Sequence, residues 1–256
     1  MKIVFTMPVY NEEEGIVKFC DEIIETFKEF EVQIILVNDL STDNSKEVIS
    51  EKLMTNYESN IILINNSKNL GHGPSTLKGM RRALKVTDTN IIVTVDGDGQ
   101  FYSDEIMSLV KQHLELKADI TEGVRINRQD PTFRKVSTIV CKILVFAASR
   151  KLPQDANTCL RIYQPKSLEF MVKKIREDFM IPNVLISTIT RNEGFTYKQI
   201  QINSIPRRGA ESVGSTWKQK FSRIPSRRYL VFCMRATLQW FSILYLGRKS
   251  AANQSE

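Results

Sequence analysis

The first hundred residues alternate between short apolar runs rich in β-branched side chains and longer segments with helical periodicity. The strand-like runs are 2–7, 33–38, 60–65 and 91–95, and the helix-like segments are about 13–27, 43–55 and 73–86. This alternation is typical of a parallel sheet whose strands are joined by crossover helices. We therefore predict an α/β fold with a Rossmann-like, mostly parallel sheet flanked by helices.

Each predicted strand ends in a polar, turn-forming cluster. These clusters are 8–12, 38–43, 65–73 and 96–100. Ligands of open parallel sheets bind at the carboxyl ends of the strands. The four clusters therefore predict one binding site along one edge of the sheet.

The fourth cluster, Asp96-Gly97-Asp98-Gly99-Gln100, follows the strand-like run directly. Its oxygen-bearing side chains recur every second residue, so an extended backbone would direct them to one side. Such oxygen ligands suit Mg²⁺ or Mn²⁺, which commonly bridge a few protein groups to phosphates. The same residues also suit a simple turn. The three other polar strand ends favour the metal site.

Size and cysteine content narrow the class of protein. The chain has 256 residues, 42% hydrophobic and 25% charged, which fits one large globular domain with an appended C-terminal element. Its four cysteines have neither metal-binding spacing nor the density of a disulfide framework, so we expect reduced thiols and a cytoplasmic protein. Strand-like residues begin at Lys2, and we expect no secretory signal.

The net charge of +7 is clustered in two regions, one around residues 125–135 and a denser one at 207–228. Such patches suit phosphorylated substrates, anionic lipid or nucleic acid. We see no RNA-binding aromatic signature and no zinc-finger spacing, so we predict no nucleic-acid partner.

The four strand-end clusters carry recognisable motifs. They are Met7-Pro8-Val9-Tyr10-Asn11-Glu12-Glu13, Val37-Asn38-Asp39-Leu40-Ser41-Thr42-Asp43, Asn69-Leu70-Gly71 with Gly73 and Gly79, and Asp96-x-Asp98-x-Gln100. In order and spacing this set resembles family 2 glycosyltransferases, inverting enzymes with the GT-A nucleotide-diphospho-sugar fold. The resemblance implies that Pro8, Tyr10 and Glu12 contact the nucleoside, Asp39 the base and Asp96 the ribose and diphosphate. It places Asp96, Asp98 and Gln100 at a Mg²⁺ or Mn²⁺ ion.

Structural roles remain as alternatives for some of these residues. Tyr10 could be a strand-end aromatic, and Glu12 and Asp43 could cap helices. Asn38 stands where many relatives have a second Asp, which leaves the choice between UDP- and GDP-sugars open.

The second half resembles the branch of the family that glycosylates polyprenyl or dolichyl phosphates, including dolichyl-phosphate mannose synthase-like enzymes. The matching segments are 123–135 and 155–163, with Cys159 and Leu160 in place of the usual Gly and Phe. The resemblance implies that four arginines receive the phosphate of the lipid acceptor, because guanidinium groups match phosphate oxygens. These are Arg125, Arg128, Arg134 and Arg161. The alternative is a solvated basic face with ion pairs to Asp130 and Asp155.

Residues 205–212 partly resemble the branch's loop over the donor diphosphate, so Arg207 or Arg208 is expected to stabilise the leaving diphosphate. We predict a GT-A catalytic domain at 1–205, with a nucleotide-binding half at about 1–100 and an acceptor half at 101–205. Residues 206–256 are predicted to form a basic loop and an apolar, membrane-proximal helix.

The C-terminal stretch from Tyr229 to Leu246 is mostly apolar but carries Arg235 and Gln239 near its middle. A charge there costs about 2.5–3.5 kcal/mol in a spanning helix. An amphipathic helix lying on the membrane is favoured over a span, and packing on the catalytic domain or on a partner is the alternative. We predict a peripheral protein on the cytoplasmic face of the membrane. Homo-oligomers and a membrane partner protein remain open.

Together these features predict an inverting, metal-dependent hexosyltransferase that moves a sugar from a UDP- or GDP-sugar to a polyprenyl phosphate. The alternative acceptor is a sugar hydroxyl in surface polysaccharide, either O-antigen or capsule. A hydroxyl would need a general base, and Asp178 is the one candidate, although a helix-end role is favoured. A pyrophosphorylase is disfavoured because no G-x-G-T-R-type loop follows the first strand, and a non-catalytic module is disfavoured by the intact Asp96, Asp98 and Gln100.

Overall fold

The computed structural model describes residues 1–126, 132–209 and 227–252, with side chains except at 132–134, 228 and 243–252. Seven strands in these residues form one sheet. They are β1 (Lys2–Val9), β2 (Glu31–Asn38), β3 (Ile61–Asn65), β4 (Thr89–Thr94), β5 (Ile120–Ile126), β6 (Arg161–Tyr163) and β7 (Tyr197–Asn203).

The strand order is β3-β2-β1-β4-β6-β5-β7. Strands β1 to β4 are parallel, as are β5 and β7, and the short β6 runs antiparallel between β4 and β5. Val9 pairs with Asn38, which in turn pairs with Asn65. The carboxyl ends of the first three strands are therefore level, and the loops that follow them meet at one edge.

Helices cover both faces of the sheet. They are α1 (Ile16–Thr26), α2 (Ser45–Val48), a π-helical turn (Ile49–Leu53), α3 (Met54–Asn56), α4 (His72–Ala83), α5 (Ser103–Leu116), α6 (Thr132–Ser149), α7 (Pro165–Lys174), α8 (Pro182–Asn192) and α9 (Arg227–Ala252). Alternate strand residues enter two separate cores: Phe5 and Ile34 face one, and Val4 and Ile35 face the other. Because a strand buried on both faces has no polar side, the central strands are continuous apolar runs.

Helix α9 packs on the rest of the fold through one face. Ala236 and Trp240, one turn apart, are both buried, and Trp240 lies in the same core as the apolar residues of α8. The opposite face of α9 carries exposed apolar side chains. One side of the helix is therefore docked and the other is free. Within the described residues, no helix combines the length and apolarity needed to cross a bilayer.

These observations confirm the predicted fold class. All four predicted strands of the first hundred residues and the helices between them are present, with ends that differ by a few residues. The mostly parallel sheet and the amphipathic C-terminal helix are also present.

Candidate functional site

The ends of β2 and β3 are joined by side-chain amides. Asn38 donates from Nδ2 to Asn65 Oδ1 at 2.9 Å, and its Oδ1 accepts from the backbone N–H and hydroxyl of Ser41. Asn38 is thereby fully committed to shaping the loop. An aspartate here could not donate to Asn65, which gives a structural reason for the amide at this position.

Asp39 organises the third loop from a buried position. Its carboxylate accepts from the backbone N–H groups of Leu70 and Gly71 and from Asn66 Nδ2, each at 2.8 Å. Gly71 has φ +90°, a conformation that favours glycine. Asp39, predicted to contact the base, therefore also holds the loop that leads into α4.

Asp96 lies at the end of β4, opposite the first residue of α4. His72 Nε2 is 2.8 Å from Asp96 Oδ1. Desolvation lowers the pKa of His72, but Asp96 outweighs it and the net pKa is raised. Desolvation raises the pKa of Asp96, and His72 outweighs this in turn, so the pKa of Asp96 is lowered. The two side chains are paired in the middle of the strand-end cluster, and the raised pKa of His72 favours its charged form there.

Asp98 has a carboxylate oxygen whose hydrogen-bonding capacity is not satisfied. Its Oδ1 is buried and has no hydrogen-bond partner among the described residues. Desolvation and the neighbouring Asp96 raise the pKa of Asp98 to about 6. A buried carboxylate oxygen without a donor is costly, and a bound cation would satisfy it.

Glu12, in the loop after β1, pairs with Arg207 beside the strand-end cluster. Arg207 Nε donates to Glu12 Oε2 at 3.1 Å, and its Nη2 contacts Glu12 Oε1. Burial raises the pKa of Glu12 to about 8, against the lowering effect of Arg207. Glu12 therefore does not act as a helix cap through its carboxylate, and the arginine lies within electrostatic reach of Asp98.

Arg208 points the other way and fixes the chain to the sheet. Its guanidinium donates to the carbonyls of Gly99 and Phe101 and pairs with Glu22 at 2.6 Å. Its backbone N–H also donates to the Asp98 carbonyl at 3.0 Å. The guanidinium of Arg208 is thus committed to structural contacts.

The cluster fits a divalent cation held partly by a substrate. Among residues 1–126, 132–209 and 227–252, no three His, Cys, Asp or Glu side chains form a complete metal cage. Mg²⁺-type sites often use one or two carboxylates and take their remaining ligands from phosphates and water. Asp98, with its unbonded oxygen, and the adjacent Asp96 meet that description, and Gln100 follows on the same loop.

Arg125, which is predicted to receive the phosphate of the acceptor, lies within electrostatic reach of Asp96. It forms a bidentate pair with Asp155, with Nε 2.8 Å from Oδ2, and donates to the Asn157 carbonyl. Desolvation lowers its pKa, but Asp155 outweighs this and raises it. Asp96 contributes to the same rise, so Arg125 lies within electrostatic reach of the donor centre. The ion pair with Asp155 considered above is present.

Arg161 lies elsewhere. Its side chain is 0% exposed and donates to Asn183 Oδ1 and Ser187 Oγ, with Glu122 at 3.4 Å. It therefore joins β6 to α8 in the interior and does not face solvent in this structure. Arg128 lies outside the described residues. Arg134 lies in α6, but its side chain is likewise outside the description.

Residues 5–162 of the chain match the family model described as "Glycosyl transferase family 2". The match includes more than half of the chain and all of the strand-end cluster except Arg207 and Arg208. The chain belongs to glycosyl transferase family 2. This confirms the family predicted from the four motifs.

Curated relatives of this family 2 glycosyltransferase include two undecaprenyl-phosphate 4-deoxy-4-formamido-L-arabinose transferases. The protein from Proteus mirabilis is 31% identical over 193 residues, 74% of this chain and 57% of its own length. The protein from Pectobacterium atrosepticum is 28% identical over 234 residues, 90% of this chain and 67% of its own. The chain therefore spans 57% of the length of the first relative and 67% of the length of the second.

Solved structures confirm the GT-A fold. Glucosyl-3-phosphoglycerate synthase from Mycobacterium tuberculosis, solved with Mn²⁺, UDP and glucosyl-3-phosphoglycerate, superposes with a TM-score of 0.65 at 15% identity. The alignment covers 95% of this chain and 80% of that one. At this identity the likeness concerns the fold.

Sequence reasoning passed over His72, although it names the glycines on both sides. The signal was present, since a histidine between two glycines opens the helix that follows a strand-end loop. Its pairing with Asp96 joins residues 24 apart. Only the strand order β3-β2-β1-β4, with all four strands parallel, brings His72 and Asp96 to the same edge of the sheet.

Proposed function

We propose that this family 2 glycosyltransferase transfers a sugar, with inversion, from a UDP- or GDP-sugar to a polyprenyl phosphate. The observation that carries the proposal is the buried, unbonded oxygen of Asp98 beside Asp96, with Arg125 within electrostatic reach. This arrangement offers a cation site for a diphosphate and an arginine for a second phosphate. The lipid-phosphate acceptors named for the relatives support the choice of acceptor.

On the donor side, we assign the first two loops to the nucleoside. Pro8, Tyr10, Glu12 and Asp39 would form the walls of its site, because they lie at or just beyond the carboxyl ends of the adjacent strands β1 and β2. Asp96, Asp98 and Gln100 would hold Mg²⁺ or Mn²⁺, which supplies Lewis-acid stabilisation of the leaving diphosphate. The Mn²⁺ and UDP bound to the Mycobacterium tuberculosis structure support this assignment.

Arg207 is the better candidate for the diphosphate than Arg208. The guanidinium of Arg208 is held by two carbonyls and Glu22. Arg207 is held only by Glu12 among the described residues, and it already lies near Asp98. We propose that Arg207 exchanges Glu12 for the diphosphate oxygens when the donor binds, because charge-assisted contacts to phosphate are strong.

On the acceptor side, we assign the lipid phosphate to Arg125, together with Arg128 and Arg134 from the resemblance. A phosphate oxygen is already anionic, so it can attack the anomeric carbon without a general base. Asp178, the candidate base for a hydroxyl acceptor, pairs instead with Arg176 on the surface, at 2.7 Å. Asp178 lies in the connection between α7 and α8, not at a helix end, and its surface ion pair favours a structural role over that of a base.

Two helices support attachment to a membrane surface. Helix α6 exposes an apolar stripe with side chains 42–57% exposed, namely Val136, Ile139, Val140, Ile143 and Phe146. Helix α9 exposes a second stripe, namely Leu230, Met234, Leu238 and Phe241. Ser137 and Tyr229 share a hydrogen bond, so the N-terminal parts of the two helices meet. Exposed apolar stripes of this kind suit an interfacial, monotopic attachment.

We place this surface on the cytoplasmic face of the membrane, which agrees with four free cysteines. We also propose the division into a catalytic domain at 1–205 and a basic loop and helix at 206–256. Within the catalytic domain, the nucleotide-binding half is about 1–100 and the acceptor half is 101–205.

The product assay tests the proposed reaction. We expect purified protein with Mn²⁺, a panel of UDP- and GDP-sugars and undecaprenyl phosphate to form a glycolipid labile to mild acid. Mass spectrometry should show one added hexose unit on the lipid phosphate. Product from a saccharide acceptor and none from the lipid phosphate would reject the lipid acceptor and favour the surface-polysaccharide reaction.

Vesicle flotation tests the membrane surface in the full-length chain. Met234→Glu with Leu238→Glu should weaken binding to anionic phospholipid vesicles by about tenfold or more, because two exposed apolar groups become charged. Ile139→Glu with Ile143→Glu should do the same for α6. Leu116→Glu, equally exposed at the end of α5, is the matched control and should float like the wild type. Normal flotation of both paired variants would contradict the assignment.

A further inference from the structure

Helix α9 touches the catalytic domain through one polar side chain as well as through its apolar face. Gln239 Oε1 accepts from the Met180 backbone N–H at 3.0 Å, and Gln239 Nε2 donates to the Asp178 carbonyl at 3.2 Å. The amide thus joins both ends of the turn at 178–180, between α7 and α8. Among side chains of this length, only an amide can accept and donate at once.

The neighbours of Gln239 fix its position. Ala236 and Trp240 lie on the same side of α9, three residues before and one after, and are 3% and 1% exposed. Phe179, in the middle of the turn, is buried in the same core as Trp240. The turn is therefore held in two ways. Phe179 anchors it in the apolar core that contains Trp240, and the Gln239 amide bonds to both of its ends.

The turn at 178–180 also contacts the first residues of α4. A Cβ at Gly73 would lie 2.4 Å from the Met180 carbonyl oxygen and 2.5 Å from that of Phe179. These two carbonyls therefore rest directly on the backbone of Gly73. The preceding residue is His72, whose Nε2 is 2.8 Å from Asp96 Oδ1.

We propose that Gln239 is a positioning residue for the donor centre. By holding the turn at 178–180 against Gly73, it sets the start of α4 and with it the contact of His72 with Asp96. Helix α9 then supports the nucleotide-sugar site through this turn, in addition to facing the membrane. The inference rests on the proposed function, since it assigns a role toward the donor.

Gln239→Met tests the proposal, because it keeps the length and packing of the side chain and removes both hydrogen bonds. We expect hydrogen exchange of the Met180 amide to accelerate about fivefold, the factor for one net hydrogen bond. We also expect the Kd for UDP or GDP with MnCl₂, measured by calorimetry, to rise by a similar factor. Gln239→Glu can accept from Met180 but cannot donate, so it should show the nucleotide defect with Met180 exchange nearer to the wild type.

Gln112→Met is the matched control, because Gln112 on α5 is half-buried like Gln239 and bonds only to Ser108 in the described structure. It should change neither measurement. In the His72→Ala background, Gln239→Met should add nothing to the loss of nucleotide affinity, since the residue it positions is gone. Additive losses would overturn the proposal, as would faster Met180 exchange with unchanged nucleotide affinity.

The outcomes also separate this proposal from the proposed function. Failure of the wild type to bind UDP or GDP with Mn²⁺ would reject the proposed donor chemistry. Wild-type nucleotide binding that is unaffected by Gln239→Met would reject the positioning role alone.

Discussion

Replacing Asp98 by alanine should reduce sugar transfer by about a thousandfold, while the protein stays folded. Loss of one group that stabilises developing charge commonly costs a factor of this order. Asp98 Oδ1 makes no hydrogen bond within the described residues, so its removal breaks no structural contact of that oxygen. Burial and Asp96 raise the pKa of Asp98 in the fold. A raised carboxyl pKa means that ionised Asp98 destabilises the protein above that pKa, so the variant should unfold at the same or a higher temperature at pH 7.5.

The measurement combines initial rates with thermal unfolding and Mn²⁺ binding followed by electron paramagnetic resonance. Asp104→Ala, on the exposed first turn of α5, is the control and should retain transfer. An Asp98→Ala protein that is as active as the wild type would remove the metal assignment. A fall in activity that follows a fall in unfolding temperature would indicate a structural role instead.

Replacing Glu122 by glutamine should destabilise the protein by about 3–5 kcal/mol, the cost of breaking a buried ion pair. The Glu122 side chain is fully buried between the guanidinium groups of Arg191, at 2.8 Å, and Arg161, at 3.4 Å. Its Oε2 also accepts from Gln199. The amide would leave two buried positive charges without a counter-ion.

Urea unfolding at equilibrium measures this effect, and the midpoint should fall with little change in slope. Glu169→Gln is the control, because Glu169 forms an exposed pair with Lys173 on α7. That substitution should cost about 0.5 kcal/mol or less. A change below 1 kcal/mol for Glu122→Gln would show that the two arginines do not depend on this carboxylate.

Local patterns in the sequence predict the fold of the first hundred residues well, because the central strands β1 and β2 are long and buried on both faces. The positions of Pro8, Asp39 and Asp96 at strand ends follow directly from parallel topology. The contacts between the loops do not follow. That Asn38 clamps Asn65, or that Arg208 turns toward Glu22, depends on side-chain orientations that pattern and spacing do not encode.

The acceptor half is harder to predict because its key contacts are non-local. Strand β6 has three residues and runs against its neighbours, so it has too few positions to show a two-residue period. Arg161 opens that strand, and the helix that buries it begins at Pro182. A guanidinium expected at an acceptor surface is therefore enclosed by a later part of the chain, and its motif alone does not reveal this.

The antiparallel β6 also dictates the order in which the two halves can assemble as the chain is synthesised. Strands β1 to β4 form a continuous parallel sheet within the first 94 residues, and none of their mutual pairings needs a later strand. Strand β5 emerges next but has no neighbour until β6 arrives at 161–163 and β7 at 197–203. The first four strands can therefore fold early, and the strand that carries Glu122 and Arg125 must wait for the 34 residues between β5 and β6 before it joins the sheet.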